Sequence, residues 1–129
     1  MKPPREALVH LASDVSSLGE GRRFVARTLR EWQVDEARIE PVQIVANELL
    51  ANAIVHARSA PVLSLEAAGS DLLLRVADTS PTLPVARTVT PEETGGRGLV
   101  MVAALGDRWG ADANASGKVV WVAFEATFP

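Results

Sequence analysis

The segment from residue 42 to residue 57 restricts the fold of this chain most strongly, because its apolar residues recur at helical spacing. Within it, Glu48 and Asn52 lie four residues apart, and such positions share one face of a helix. Asparagine is a weak helix former, and an unpaired polar group that faces the interior is costly. The pair therefore needs a partner, unless it lies on a solvated polar face of the helix.

A hydrated metal ion with phosphate groups would be a suitable partner for these two side chains. Mg²⁺ prefers a few oxygen ligands and keeps several waters. Asn52 can supply a carbonyl oxygen to such an ion, and Glu48 can accept a proton from a hydroxyl group. The helix thus carries the strongest candidate for chemistry in the sequence.

The N-terminal half of the chain predicts a strand followed by two helices. The predicted elements are a strand at 7–12, a helix that follows Ser17 and runs to about Glu31, a polar link or helical turn at 35–40, and a second helix with Pro41 in its first turn. Ser17 and Glu20 have the spacing of a capping box, which predicts the start of the first helix.

The C-terminal half predicts mainly strands. The predicted elements are strands at 62–67 and 71–77 joined by a tight turn at Gly69–Ser70, a third helix at 98–105, a short strand at 107–110, a polar turn at 111–118 and a final strand at 119–128. This order predicts one domain over residues 1–129. Its fold class is α+β, a two-layer sandwich of a mixed or antiparallel sheet with helices on one face.

Composition excludes several classes of function. The chain has 129 residues and a net charge of −3, which argues against nucleic acid or an anionic membrane as the main partner. It has no cysteine, which excludes disulfides and thiolate metal sites, and two histidines are too few for a histidine-built zinc site. We find neither a signal peptide nor a membrane-spanning stretch, so the expected location is the cytoplasm.

Asp78 and a glycine cluster bracket a long segment without periodicity. Asp78 ends a predicted strand and can accept a hydrogen bond from an exocyclic amine, although such a residue is also common in turns. The run 78–97 is rich in proline and glycine, and a loop of this length is usually functional or disordered. It ends in Gly95-Gly96-Arg97-Gly98-Leu99, where free amides at a helix start can bind phosphate; the alternatives are a flexible turn and an exposed arginine.

Two further polar residues have a structural interpretation. His56 lies four residues beyond Asn52, and its type and position favour a hydrogen bond to the backbone near the helix end. Lys118 marks the turn before the final strand.

In this order, the motifs resemble those of the GHKL ATPases, and most closely the anti-sigma factor kinases of the RsbW-like, or HATPase_c_2, group. Glu48-x-x-x-Asn52 resembles the N box, Asp78 resembles the start of the G1 box, and Gly96-x-Gly98-Leu99 resembles the G2 box. Gly117-Lys118-x-Val120-Trp121 suits the single-domain actinobacterial members. The resemblance covers nearly the whole chain.

The resemblance implies a role for each of these residues in binding ATP and Mg²⁺. Glu48 would be the general base that activates a protein hydroxyl, Asn52 would hold Mg²⁺, and Asp78 would accept from the adenine amino group. Gly96 and Gly98 would let a loop at about 79–97 close as a lid. The amides of Gly98 and Leu99, at the start of the third helix, would lie near phosphate, and Arg97 would also bind the nucleotide. It also implies a sigma factor or an anti-sigma-factor antagonist as partner, and homodimers are common in the group.

The sequence departs from this group in the G1 box. Glycines usually follow the aspartate, whereas here the run is Asp78-Thr79-Ser80-Pro81. Because proline fixes φ and lacks a donor, the loop cannot approach adenine in the same way. Two functions therefore stay open: a serine/threonine protein kinase that phosphorylates the antagonist, and a non-catalytic, nucleotide-dependent module that sequesters a partner. A binder has no chemical need of Glu48, so its presence favours the kinase.

Overall fold

The structure, a computed structural model, describes residues 5–79 and 105–125. Their elements are β1 (Arg5–His10), α1 (Ser17–Glu31), α2 (Glu36–Ala51), a π-helical turn (Asn52–His56), β2 (Val62–Ala68), β3 (Asp71–Asp78), β4 (Arg108–Asn114) and β5 (Gly117–Glu125). The predicted third helix lies outside these residues, apart from Leu105, which is helical.

The strands form a single sheet in the order β1-β2-β3-β5-β4 within the described residues. Every neighbouring pair of strands in it is antiparallel. The two helices pack against each other, and α2 also contacts β3. The predicted α+β sandwich is therefore confirmed.

The core lies between the helices and one face of the sheet. Residues directly opposite each other on antiparallel strands share a face, and Leu65, Leu74 and Val122 form such a row across β2, β3 and β5. All three are fully buried, as are Val42 and Val45 on the apolar stripe of α2. The apolar residues that alternate along these strands thus form the inner face of the sheet, which packs against the helices.

The hairpin between β2 and β3 has the predicted two-residue turn. Ala68 pairs with Asp71, and Gly69 between them has a φ of 61°. A glycine at the first central position of a two-residue turn matches the twist of the flanking strands. The strands run one residue further than predicted at their turn and loop ends, to Ala68 and Asp78.

The start of α1 corrects the predicted capping box. Ser16 occupies the N-cap position and its side chain makes no capping hydrogen bond. Ser17 is instead a buried residue of the helix, and its hydroxyl donates to the carbonyl oxygen of Ala12 at 2.9 Å. The motif was wrong because the tertiary contact to Ala12 engages the hydroxyl that would have capped the helix.

The start of α2 also differs from the prediction. The helix begins at Glu36, and Asp35 caps it by accepting from the backbone N–H of Ala37 at 3.2 Å. Pro41 therefore lies inside the helix and not in its first turn. Its fixed φ is compatible with a helix, and the donor that it lacks leaves the carbonyl of Ala37 without the usual partner four residues on.

Strand pairing explains why β1 and β4 have other bounds than the composition predicts. β4 extends to Asn114, where a polar turn had been predicted, because Ala113 and Asn114 pair with Lys118 and Gly117 of β5. β1 spans Arg5–His10 and not 7–12, with Arg5 opposite Ala67. The backbone groups of these polar residues thus form hydrogen bonds with the neighbouring strand. Composition alone does not predict such pairing.

Candidate functional site

Glu48 and Asn52 lie side by side at the C-terminal end of α2. The backbone N–H of Asn52 bonds to the carbonyl oxygen of Glu48, so the four-residue spacing is helical here. Both residues are half-buried, whereas the neighbouring Leu49, Leu50 and Ala53 are buried. Neither polar side chain has a hydrogen-bond partner among the described residues. The pair therefore presents free ligand atoms at the border of the core.

The helix changes its hydrogen-bond pattern at Asn52. The carbonyl oxygen of Asn52 accepts from the N–H of Ala57 at 3.0 Å, which closes a π-helical turn five residues long. Such turns are rare in proteins as a whole, and those that occur are often found at functional sites. Sequence reasoning predicted a regular helix through this stretch. The side chain of His56, which the sequence assigned a structural role, lies outside the described residues.

A buried serine connects this helix end to the end of β3. Ser59 donates its N–H to the carbonyl oxygen of Ala53 at 2.9 Å, and its hydroxyl oxygen accepts from the N–H of Thr79 at 2.9 Å. The hydroxyls of Ser59 and Thr79 are 3.1 Å apart. These contacts hold the helix that carries Asn52 beside the strand that ends in Asp78. Nothing in the sequence pattern had singled out Ser59.

Asp78 is the last residue of β3 and is the only charged residue among the buried residues that the structure describes. Lys118, directly opposite on β5, places its Nζ 2.9 Å from Oδ2 and 3.1 Å from Oδ1 of Asp78. The Asp78 and Lys118 side chains are only 3% and 9% exposed. The strand end predicted from the sequence is confirmed, but Lys118 is a partner of the candidate site and not only a turn residue.

Gly117 permits the close approach of β5 to the end of β3. Its φ is 151°, which side chains rarely adopt, and a Cβ there would collide with the carbonyl oxygen of Asp78. The glycine before Lys118 thus sets the distance at which the lysine meets the carboxylate. No local signal in the sequence indicated this contact, which depends on the register of β3 against β5.

A groove of about 410 Å³ lies beside Glu48, between the two helices. It is lined by Arg22, Glu40, Gln43, Ile44, Asn47 and Glu48. The side chain of Gln43 donates to the carbonyl oxygen of Arg22 at 3.1 Å and so fixes one wall. Its lining is mostly polar and includes Glu48.

The described side chains fit Mg²⁺ only as a partner of phosphate. Among residues 5–79 and 105–125, no three or more histidine, cysteine, aspartate or glutamate residues cluster into a metal site. Mg²⁺ usually takes one or two protein oxygen ligands and completes its shell with phosphates and water, and the amide oxygen of Asn52 can be one of these. Gly96, Arg97, Gly98, Leu99 and the lid beyond Thr79 lie outside the described residues and stay predictions.

The fold is that of the GHKL class of ATP-binding domains. The family model described as histidine kinase-like ATPase domain, HATPase_c_2, matches residues 11–124, and the chain belongs to this family of ATP-binding, kinase-like domains. No helix in the described parts of the chain has the length and apolarity to cross a membrane.

A solved structure shares the fold. It is the crystal structure of the RsbU and RsbW domains of Rv1364c from Mycobacterium tuberculosis, with a TM-score of 0.74 and 19% sequence identity. The match covers 99% of this chain and 34% of that one, so this chain spans about a third of that protein's length. A search of curated proteins finds no match.

Proposed function

We propose that this protein is an ATP-dependent serine/threonine protein kinase that acts as an anti-sigma factor and phosphorylates an anti-sigma-factor antagonist. The observation that carries the proposal is the Glu48–Asn52 pair. A carboxylate and an amide without described partners lie on one helix face, next to a polar groove. One residue can serve as base and the other as metal ligand.

The proposed step is phosphoryl transfer to a serine or threonine hydroxyl. The hydroxyl oxygen forms a bond to the γ-phosphorus of ATP, the bond from that phosphorus to the bridging oxygen breaks, and ADP leaves with the electron pair. Glu48 takes the proton of the hydroxyl. Asn52 would hold Mg²⁺, which when bound would supply positive charge against the phosphates; catalysis of this type is mostly positioning and charge neutralisation.

The partners and the location belong to the same proposal. The structural relative carries an RsbW domain joined to an RsbU domain, which supports a regulatory partner for this chain as well. We propose a sigma factor, its antagonist, or both as partners, a homodimer as the assembly and the cytoplasm as the location. The groove beside Glu48 is the proposed entry for the antagonist's hydroxyl.

Transfer of labelled γ-phosphate from ATP to purified anti-sigma-factor antagonist proteins tests this function. Glu48→Gln keeps the size of the side chain but removes the base, so we expect ATP binding to persist while transfer falls about 100-fold or more. Glu36→Gln, on the same helix but not among the residues that line the groove, is the matched control and should transfer normally.

The non-catalytic alternative makes the opposite prediction. A partner-sequestering module would bind ATP and antagonist equally well with or without Glu48, and no phosphoprotein would form. Normal transfer by Glu48→Gln would refute the general-base role.

A further inference from the structure

We propose that Lys118 reads the nucleotide base together with Asp78, by donating a hydrogen bond to N1 of adenine while Asp78 accepts from the 6-amino group. This inference rests on the proposed binding of ATP. It makes Lys118 a specificity-determining residue of the site, where the sequence had indicated only a turn.

The two side chains are placed for a joint contact. Asp78 and Lys118 face each other directly across β3 and β5, on the face that carries Val76 and Val120 into the core. The Nζ atom lies 2.9 and 3.1 Å from the two carboxylate oxygens. Gly117 and Ser59 hold the backbone on either side of this pair.

The pair offers a donor beside an acceptor. An ammonium group has three donors and no acceptor, and a carboxylate has about four acceptor positions. Two N–H bonds of Lys118 can serve the two oxygens of Asp78, which leaves a third for a ligand. The edge of adenine presents an acceptor, N1, next to the amino donor, and so complements the pair.

The position of the lysine disfavours guanine. Guanine would engage a carboxylate through N1–H and its 2-amino group, which requires both oxygens at once. The Nζ of Lys118 lies between these oxygens at nearly equal distances and would have to be displaced. A single amino hydrogen of adenine needs only one oxygen and leaves the ion pair in place.

Burial also favours a role in the site over a role in stability. Both side chains are at least nine-tenths buried. A buried ion pair is weak evidence for stability, since desolvation can exceed the attraction between the charges. Ligand sites, in contrast, use a small number of placed polar groups to fix the orientation of the ligand, and a buried donor beside a buried acceptor can serve this purpose.

The test is calorimetric binding of three Mg²⁺-nucleotides and GTP to the wild-type protein. In 1-deaza-ATP the N1 atom is replaced by C–H, and purine riboside triphosphate lacks the 6-amino group. Because hydrogen bonds to charged groups are the stronger ones, we expect each analogue to bind about 10–100-fold more weakly than ATP, and GTP to bind more weakly still.

The outcomes separate this inference from the function on which it rests. If ATP and 1-deaza-ATP bind equally well, or if GTP binds as well as ATP, the role of Lys118 is refuted while the ATP site stands. If ATP itself does not bind, the proposed function fails. This comparison needs no variant, so it decides the question even if a substitution impairs folding.

A variant then assigns the effect to the side chain. Lys118→Met keeps the length of the side chain and removes its donors, so the ratio of ATP to 1-deaza-ATP affinity should fall to within about twofold of one. Arg75→Met breaks another ion pair of β3, the one with Glu66, and should keep the wild-type ratio. An unchanged ratio in Lys118→Met would refute the assignment.

Discussion

The two polar clusters of the site differ in how their groups are satisfied. Glu48 and Asn52 are half-buried at the end of α2 and have no partner among the described residues. Asp78 and Lys118 are buried at the ends of β3 and β5 and satisfy each other at 2.9 Å. In the proposed function the first cluster gains its interactions from a ligand, whereas the second is already assembled without one. Substitutions should therefore affect mainly binding in the first cluster, and both folding and base specificity in the second.

The largest expected effect comes from a substitution that breaks the ion pair of Asp78 and Lys118. Lys118→Met leaves the Asp78 carboxylate buried without its lysine, and removal of one partner of a buried pair costs about 3–5 kcal/mol of unfolding free energy. Urea denaturation of the wild type and the variant measures this difference. Arg75→Met is the control: its partner Glu66 is 22% exposed, and we expect a loss below about 1 kcal/mol. Equal losses would contradict the contrast between the two pairs.

The next effect tests the cluster that awaits a ligand. Asn52→Ala removes the proposed Mg²⁺ ligand, so the affinity for Mg²⁺-ATP should fall at least about 100-fold, with little change in stability because the side chain has no partner to lose. Calorimetry measures the affinity. Asn47→Ala, on the same helix and also half-buried, is the matched control and should bind normally. Wild-type affinity in Asn52→Ala would remove this residue from the site.

A smaller effect concerns the connection between the two clusters. Ser59→Ala removes the acceptor of the Thr79 N–H, which should lower the unfolding free energy by about 1–3 kcal/mol. The amide of Thr79 should also exchange faster with solvent than in the wild type, while amides in the middle of β3 keep their protection. Ser64→Ala, on β2 but not buried, should change neither quantity.

The smallest expected effect concerns an exposed ion pair, which serves as a comparison for the buried pair. Glu36→Gln breaks the ion pair with Arg30, in which both side chains are more than 60% exposed. We expect a change of less than about 0.5 kcal/mol in unfolding free energy and no change in ATP affinity. A larger loss would mean that exposed pairs matter as much as the buried one.

Much of the fold could be predicted from local patterns. The alternation in β2 and β3 and the glycine turn between them fixed a hairpin, since each signal is contained in a few neighbouring residues. The start of α2 was wrong because two signals competed, Asp35 as a cap and Pro41 as a first-turn residue, and the cap prevailed. The capping box at Ser17 failed because its hydroxyl binds Ala12.

The site was predicted less completely because half of it depends on distant contacts. Glu48 and Asn52 are close in sequence, so helical spacing alone brings them together. Lys118 and Ser59 act through residues 40 and 20 positions away, and only the strand register and the path after α2 bring them to Asp78 and Thr79. Local patterns carry no information about such pairs.

The sheet order has a consequence for how this domain can diversify. β5 pairs on one side with β3 and on the other with β4, so the hydrogen bonds of these strands are made without the connection between Asp78 and Arg108. The entropic cost of closing a flexible loop rises by only about 0.6 kcal/mol for each doubling of its length. Insertions and replacements in this connection should therefore cost little free energy of folding as long as the strand pairing is kept.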